Sequence, residues 1–275
     1  MFVDVVLTGT GSPLPDPNRA GPSTLVRAGK TCILIDAGRG VVMRMAGAGL
    51  FPSFLAAVLV THLHSDHICA LNDVITTHWV MSQGSATLTV YGPAGIAQFV
   101  ERQMAALEAD IGYRIEHHDQ LTEGPKVDVI EIEAGDSFQV NDITVSTAPT
   151  QHSPARPTIG FRLEHEGSVA AIVGDTLPCD GVDTLASNAD VYVQTVIRRD
   201  LVELVPIEML QDILDYHSGV IEAAQTGARV GVKQIVFTHM VPAPSPDQYS
   251  EWVARAAEHF DGEIVLGEDL TTITI

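Results

Sequence analysis

Short β-branched runs, each bounded by Gly, Pro, Asp or Asn, recur along almost the whole chain and restrict its fold more than any other feature. They read VDVVL at 3–7, TLVRA at 24–28, TCILID at 31–36, AVLVT at 57–61, LTVYG at 88–92 and VDVIEIE at 127–133. Further runs are ITVSTA at 143–148, TIGFRLE at 158–164, VAAIVGD at 169–175, DVYVQ at 190–194 and QIVFTH at 234–239. Helical periodicity falls between them, at 40–48, 67–81, 95–109, 220–229 and 246–259. Such alternation predicts sheets covered by helices, a layered α/β architecture. With no fixed-period repeat, low-complexity tract or linker to divide it, one domain over 1–275 is expected.

Of 275 residues, 45% are hydrophobic, enough to bury a substantial core. The formal charge of -20 repels polyanions at long range, and Arg198 and Arg199 are the one adjacent basic pair. The N-terminus enters a strand pattern directly, without a basic segment followed by an apolar one, and no stretch approaches the roughly 20 apolar residues of a membrane span. A cytoplasmic protein without membrane attachment is expected. Cys32, Cys69 and Cys179 are odd in number and widely spaced, so they read as small packing residues in a reducing compartment.

The stretch VLVTHLHSDH, 58–67, places His62 and His64 two apart at the end of a strand, so both rings point to one side. Asp66 and His67 follow where a helix begins, with Ser65 or Asp66 as N-cap, and that turn can carry a carboxylate and a third imidazole toward a second ion. Two metals can be served.

THLHSDH resembles the HxHxDH signature of the metallo-β-lactamase fold, an α/β four-layer αββα sandwich. The resemblance implies a histidine on a later loop, a bridging aspartate ending a strand and a histidine closing a late strand; STAPTQHS, AAIVGDT and QIVFTHM offer His152, Asp175 and His239. By that likeness His62, His64 and His152 hold one ion, Asp66, His67 and His239 the other, and Asp175 bridges. Mixed imidazole and carboxylate donors suit Zn2+, with Mn2+ or Fe tolerated. Two such ions about 3.5 to 4 Å apart acidify a shared water and polarise the bond under attack, with Asp66 orienting the nucleophile.

The opening LTGTGSPLPDP and the late HSGVIEAAQTGARVGVKQIVFTH look like the branch containing ribonuclease Z and its arylsulfatase-like relatives. The late segment there reads as a histidine entering a helix, an EAA turn, then a strand into the final ligand, matched by His217, Glu222, Ala223, Ala224 and His239. The likeness implies that His217 faces the leaving group as general acid or hydrogen-bond donor. Gly9 and Gly11 let the first loop approach the site. Met240 and the segment from Pro242 to Pro246 form a rim, His117 and His118 lie on an exposed edge or loop, and Trp79 belongs to the core.

Three departures point away from transfer RNA. Only 23 positions separate His152 from Asp175, too few for the flexible arm of that branch. Gln194 and Thr195 stand where His-Glu would orient His217, so a neutral pair holds it more weakly, and no arginine follows His239 in HMVPAPSPDQY. The reading is therefore a dinuclear zinc hydrolase cleaving a small ester-type bond: a phosphodiester, a sulfate ester, or an activated aryl ester or ether. A small-molecule substrate is expected, nucleic acid is disfavoured, and a homo-oligomer, with or without a related subunit, is anticipated. The alternatives are an endoribonuclease trimming transfer-RNA 3' ends and a metal-containing partner subunit with little activity alone.

Overall fold

Fourteen strands among the described residues, 2–275 of the computed structural model, form two seven-stranded sheets. The first contains β1 (Val3–Gly9), β2 (Ser23–Ala28), β3 (Thr31–Ile35), β4 (Leu55–Leu59), β5 (Thr87–Gly92) and β6 (Lys126–Glu131) in that order. The second runs in the order β7 (Ser137–Val140), β8 (Ile143–Pro149), β9 (Ile159–His165), β10 (Ser168–Ile172), β11 (Val191–Ile197), β12 (Gln234–Val241) and β13 (Glu263–Leu266). The last strand, β14 (Thr272–Thr274), returns to pair with β1.

Strand alternation explains the layers. Val5, Leu7, Ile33 and Ile35 point inward and meet Phe161, Leu163, Ile172 and Val193 of the opposite sheet. Their neighbours Val6, Cys32 and Leu34 face outward under α1 (Val41–Gly47), α3 (Leu71–Met81) and α4 (Ile96–Ala106). On the far side Ala171, Tyr192 and Ile235 pack beneath α6 (Asp180–Ala186), α9 (Val220–Val230) and α10 (Tyr249–Ala257). Each central strand is thus covered on both faces, which is why it reads as an unbroken apolar run. The result is the αββα sandwich of the metallo-β-lactamase fold. Phe161 is fully buried at its middle, where truncation to Ala costs about 3–5 kcal/mol.

The topology also positions chemistry. β3 to β6 are mutually parallel, as are β10 to β13, so the carboxyl ends of β3, β4, β10, β11 and β12 can open onto one edge. Several expected boundaries move. β4 ends at Leu59, leaving Thr61 to His64 as extended loop, and the helix expected over 67–81 splits into α2 (Ser65–Ile68) and α3. The split has a cause: Ala37 N–H donates to the His67 carbonyl and Ala70 N–H donates to the Ala37 carbonyl, tying the first turn to the loop after β3. His64, rather than Ser65 or Asp66, is the N-cap.

The helix expected over 95–109 continues after a break at Leu107 as α5 (Glu108–His117), so His117 closes a helix, and His117 and His118 are both exposed. The helix expected over 220–229 is α9, with Glu222, Ala223 and Ala224 in its first turns. Cys69 is exposed, not packed, because it falls at the end of α2 with its side chain facing outward. Trp79 is core as expected, and its indole N–H donates to the Glu123 carbonyl. No helix among the described residues is long and apolar enough to cross a membrane.

Candidate metal centre

All eight residues singled out in the sequence meet at the shared strand edge. Donor atoms of His62, His64, His152 and Asp175 lie within 4.8 Å of one another, as do those of Asp66, His67 and His239, and those of Asp175, His217 and His239. Of the seven expected donors only His64 is not buried.

Local devices aim these side chains. β11 and β12 lose register between Thr195 and Ile197, and within that bulge His239 takes the left-handed conformation, φ 48°. A bulge re-aims a side chain, and a non-glycine residue held there costs of order 1–3 kcal/mol that the surrounding packing must supply. Gly174 combines φ 67° with a Cβ position 3.0 Å from the Thr61 side chain, so only glycine lets the end of β10 approach the loop carrying His62. At Gly9 a Cβ would sit 1.8 Å from the Gly21 carbonyl oxygen, and this close approach seats Ser12, Pro13 and Leu14 at the site.

The residue that sequence reasoning missed is Asp36. Its Oδ1 accepts from the Thr61 N–H at 2.8 Å, and its Oδ2 accepts from the Thr61 hydroxyl at 2.8 Å and from His67 Nδ1 at 2.7 Å. The signal was an aspartate ending the strand parallel to the motif strand, in TCILID. Because the Thr61 hydroxyl donates to Asp36, it must accept from His62 Nδ1, 3.0 Å away, which leaves Nε2 of His62 as a bare lone pair. That Nε2 is buried and has no hydrogen-bond partner. In the same way Nε2 of His67 is turned inward, 3.2 Å from Asp175 Oδ2, and so is Nε2 of His152, 3.1 Å from His64 Nδ1, while the Nδ1 of His152 donates to the Tyr216 carbonyl at 2.9 Å. A carboxylate or carbonyl locking the remote nitrogen of a histidine is the arrangement that fixes metal ligands.

The inward-facing atoms are therefore mostly acceptors. Oδ2 of Asp175 lies 3.2 Å from His67 Nε2, 3.3 Å from His217 Nε2, 3.4 Å from His239 Nε2, 3.8 Å from His152 Nε2 and 3.9 Å from His62 Nε2. Buried lone pairs and carboxylates converging on one point require cations or protons among them. Proton affinities follow the same field. Burial, with the neighbouring His67, pushes His62 well below the usual imidazole value, and burial takes His152 down to about 4 against the pull of Asp175. Both are thus neutral near pH 7, the form that ligates. Burial opposes charge on His67 too, but Asp175 and Asp36 outweigh it and raise that imidazole well above its ordinary value. Burial would likewise raise Asp175, yet His239 and His67 hold its carboxyl well below the usual range. The donor set fits divalent cations, and the cluster is capable of binding metal ions.

Gln194 and Thr195 do not orient His217 at all. Gln194 Oε1 accepts from the Tyr192 hydroxyl and its Nε2 donates to the Thr195 carbonyl, while the Thr195 hydroxyl donates to Asp175 Oδ1 at 2.8 Å. His217 Nδ1 has no partner. Over the donors opens a cavity of about 440 Å3. Its remaining wall is apolar, built from Leu14, Val202, Val205, Met209, Leu210 and Ile213, and no Lys or Arg lines it. Pro242 forms part of the rim; Met240 instead faces the core under α9 and α10, because the bulge at His239 turns it there.

A family model described as a beta-lactamase superfamily domain matches residues 31–240, so the chain belongs to that superfamily, a class of metal-dependent hydrolases. Within it the chain is a member of the ribonuclease Z family. Ribonuclease Z of Mycobacterium bovis is 50% identical over 276 residues, covering 100% of this chain and 99% of its own, and that of Mycolicibacterium gilvum is 48% identical, covering 100% and 96%. The fold matches human tRNase Z, short form, with a TM-score of 0.71 at 22% identity over 98% of each chain. It also matches the metallo-beta-lactamase fold protein YhfI of Bacillus subtilis, with a TM-score of 0.78 at 19% identity, covering 100% and 99%.

These relatives overturn the expectation of a small-molecule substrate with nucleic acid disfavoured. The M. bovis protein aligns over 99% of its own length, so a ribonuclease Z of the same compact size exists and the missing arm excludes nothing. The charge argument failed for a different reason: -20 sums the whole surface, whereas charges more than about 8 Å apart are screened at physiological salt and contact is decided locally.

Proposed function

We propose that this chain is a zinc-dependent endoribonuclease that cleaves precursor transfer RNA at its 3' end, one hydrolase domain spanning 1–275 and working in the cytoplasm. The observation that carries this reading is the convergence of His62, His64, Asp66, His67, His152, Asp175 and His239 in a chain 50% identical, end to end, to a ribonuclease Z. In this reading His62, His64 and His152 would hold one ion and Asp66, His67 and His239 the second, with Asp175 within reach of both groups. When bound, such ions polarise a phosphoryl oxygen and lower the pKa of water.

The chain's own groups supply the rest. Asp66 lines the cavity floor and takes a proton from the attacking water as its oxygen bonds to phosphorus. His217 lines the same floor, and from Nε2 it delivers a proton to the ribose oxygen as the P–O bond to it breaks. Asp36 and Thr61 keep the His62 and His67 lone pairs aimed, and the apolar wall excludes bulk water, which strengthens every charge inside. Incubation of metal-verified protein with a 3'-extended transfer-RNA transcript at low salt should release the trailer, and Asp66→Ala should abolish the release. An uncut transcript with wild-type protein overturns the reading.

A further inference from the structure

Eleven of the fifteen cationic side chains are neutralised by ion pairs with Asp or Glu, for example Arg27 with Asp4, Arg44 with Asp269 and Arg229 with Asp183. Among the described residues the four without such a pair are Lys30, Arg39, Arg102 and Arg156, all exposed. Two of these four lie on the loops that frame the metal centre.

Arg39 stands three positions past Asp36, on the loop whose Ala37 bonds the His67 carbonyl. The adjacent Gly38 packs so closely on the α2 turn that a Cβ there would meet the Asp66 carbonyl oxygen at 2.6 Å. Arg156 stands four past His152 on a loop closed by two hydrogen bonds, Thr150 N–H to the Thr158 carbonyl at 3.1 Å and the Thr158 hydroxyl to the Thr150 carbonyl at 2.9 Å. Pro154 and Pro157 bracket it, so little backbone entropy remains to be lost on contact. One free arginine therefore attends each of the two donor groups.

We propose that Arg39 and Arg156 grip backbone phosphates of the RNA flanking the scissile bond, and are the cations that offset the acidic surface of this chain. The inference rests on the ribonuclease reading. The cavity itself is free of Lys and Arg, so these two arginines are the unpaired cations left for the phosphates on either side of the reacting one. A free guanidinium needs no ion pair broken before it can bind, and its fork matches phosphate oxygens.

Each phosphate contact contributes about 0.7 to 0.9 to the slope of log affinity against log salt. The test measures kcat/KM for a 3'-extended transfer-RNA transcript from low to moderate salt in the full chain, with metal content and melting temperature verified for every variant. Arg39→Ala with Arg156→Ala should lower kcat/KM about tenfold per arginine through KM and flatten the salt slope by about 1.4 to 1.8. The Lys pair should restore most of the slope. Lys30 lies at the opposite end of β3 and Arg102 on the outer helix α4, so their joint replacement by Ala should leave the slope unchanged. Wild-type cleavage with an unaltered slope in the Arg39/Arg156 variant, or equal flattening in the Lys30/Arg102 variant, overturns this inference alone. A transcript uncut by the wild type overturns the ribonuclease reading, and this inference with it.

Discussion

The two sheet edges build the centre in opposite ways. From the first sheet, four donors arrive within six consecutive residues, His62 to His67, and one neighbouring carboxylate, Asp36, locks two of them through Thr61 and His67 Nδ1. From the second, His152, Asp175, His217 and His239 arrive from separate segments, and Nδ1 of both His217 and His239 lacks a partner. What holds the second half together is Asp175, whose Oδ2 lies within 4 Å of five imidazoles drawn from both edges. The first edge is rigid by local bonding; the second is organised around one shared carboxylate.

The sharpest way to break this contrast is to remove that carboxylate. Asp175→Ala should cost at least about a thousandfold in transcript cleavage, more than one preorganised donor contributes, and should empty both metal positions, whereas Asp66→Ala should lose one ion. Metal-to-protein ratios after gentle purification check this; equal losses in the two variants would end the claim that Asp175 alone joins the edges. Next in size, Asp36→Asn should weaken metal affinity or activity by about 10 to 100-fold, the usual effect of freeing a ligand histidine from its anchoring carboxylate. Competition against a chelator measures it.

How much was legible follows the same divide. The contiguous donors were readable because one strand end and one helical turn suffice to bring them together. The scattered ones needed the family likeness, since no local rule relates Asp175, just past β10, to His239 in β12 across the intervening strand β11. Asp36 escaped because its partners are fixed by the parallel pairing of β3 with β4, which a single run of sequence does not display. Most inner strands were found from their apolar runs. β7, β13 and β14, of four, four and three residues, were not, for they sit at sheet margins, half exposed and without sustained alternation. Substrate class was misjudged because charge was counted over the surface instead of located on it.

Smaller effects sharpen the comparison further. Thr195→Val removes the one hydroxyl that orients Asp175, and should reduce activity several-fold up to about tenfold, with Thr195→Ser recovering it. Away from the donors on the second sheet, the hydrogen bond from Arg198 holds the Asp200 carboxyl below its usual value. A depressed carboxyl stabilises the fold fully above its unfolded pKa of about 3.8 and ceases to do so as pH falls through the lower folded value. The melting-temperature difference between wild type and Asp200→Asn should therefore be small at neutral pH, because the Asp200 carboxylate is half exposed and buried Arg198 keeps Glu251 as a second partner, and should vanish on acidification.

The account depends on cations at the convergence of the two edges, and crystals grown from protein purified without chelator test this directly. Anomalous difference maps collected on either side of the zinc absorption edge should show two peaks, one among His62, His64 and His152 and one among Asp66, His67 and His239, with Asp175 between them. Maps with no peak at that edge or at the iron or manganese edges, with the imidazoles in place, would contradict it.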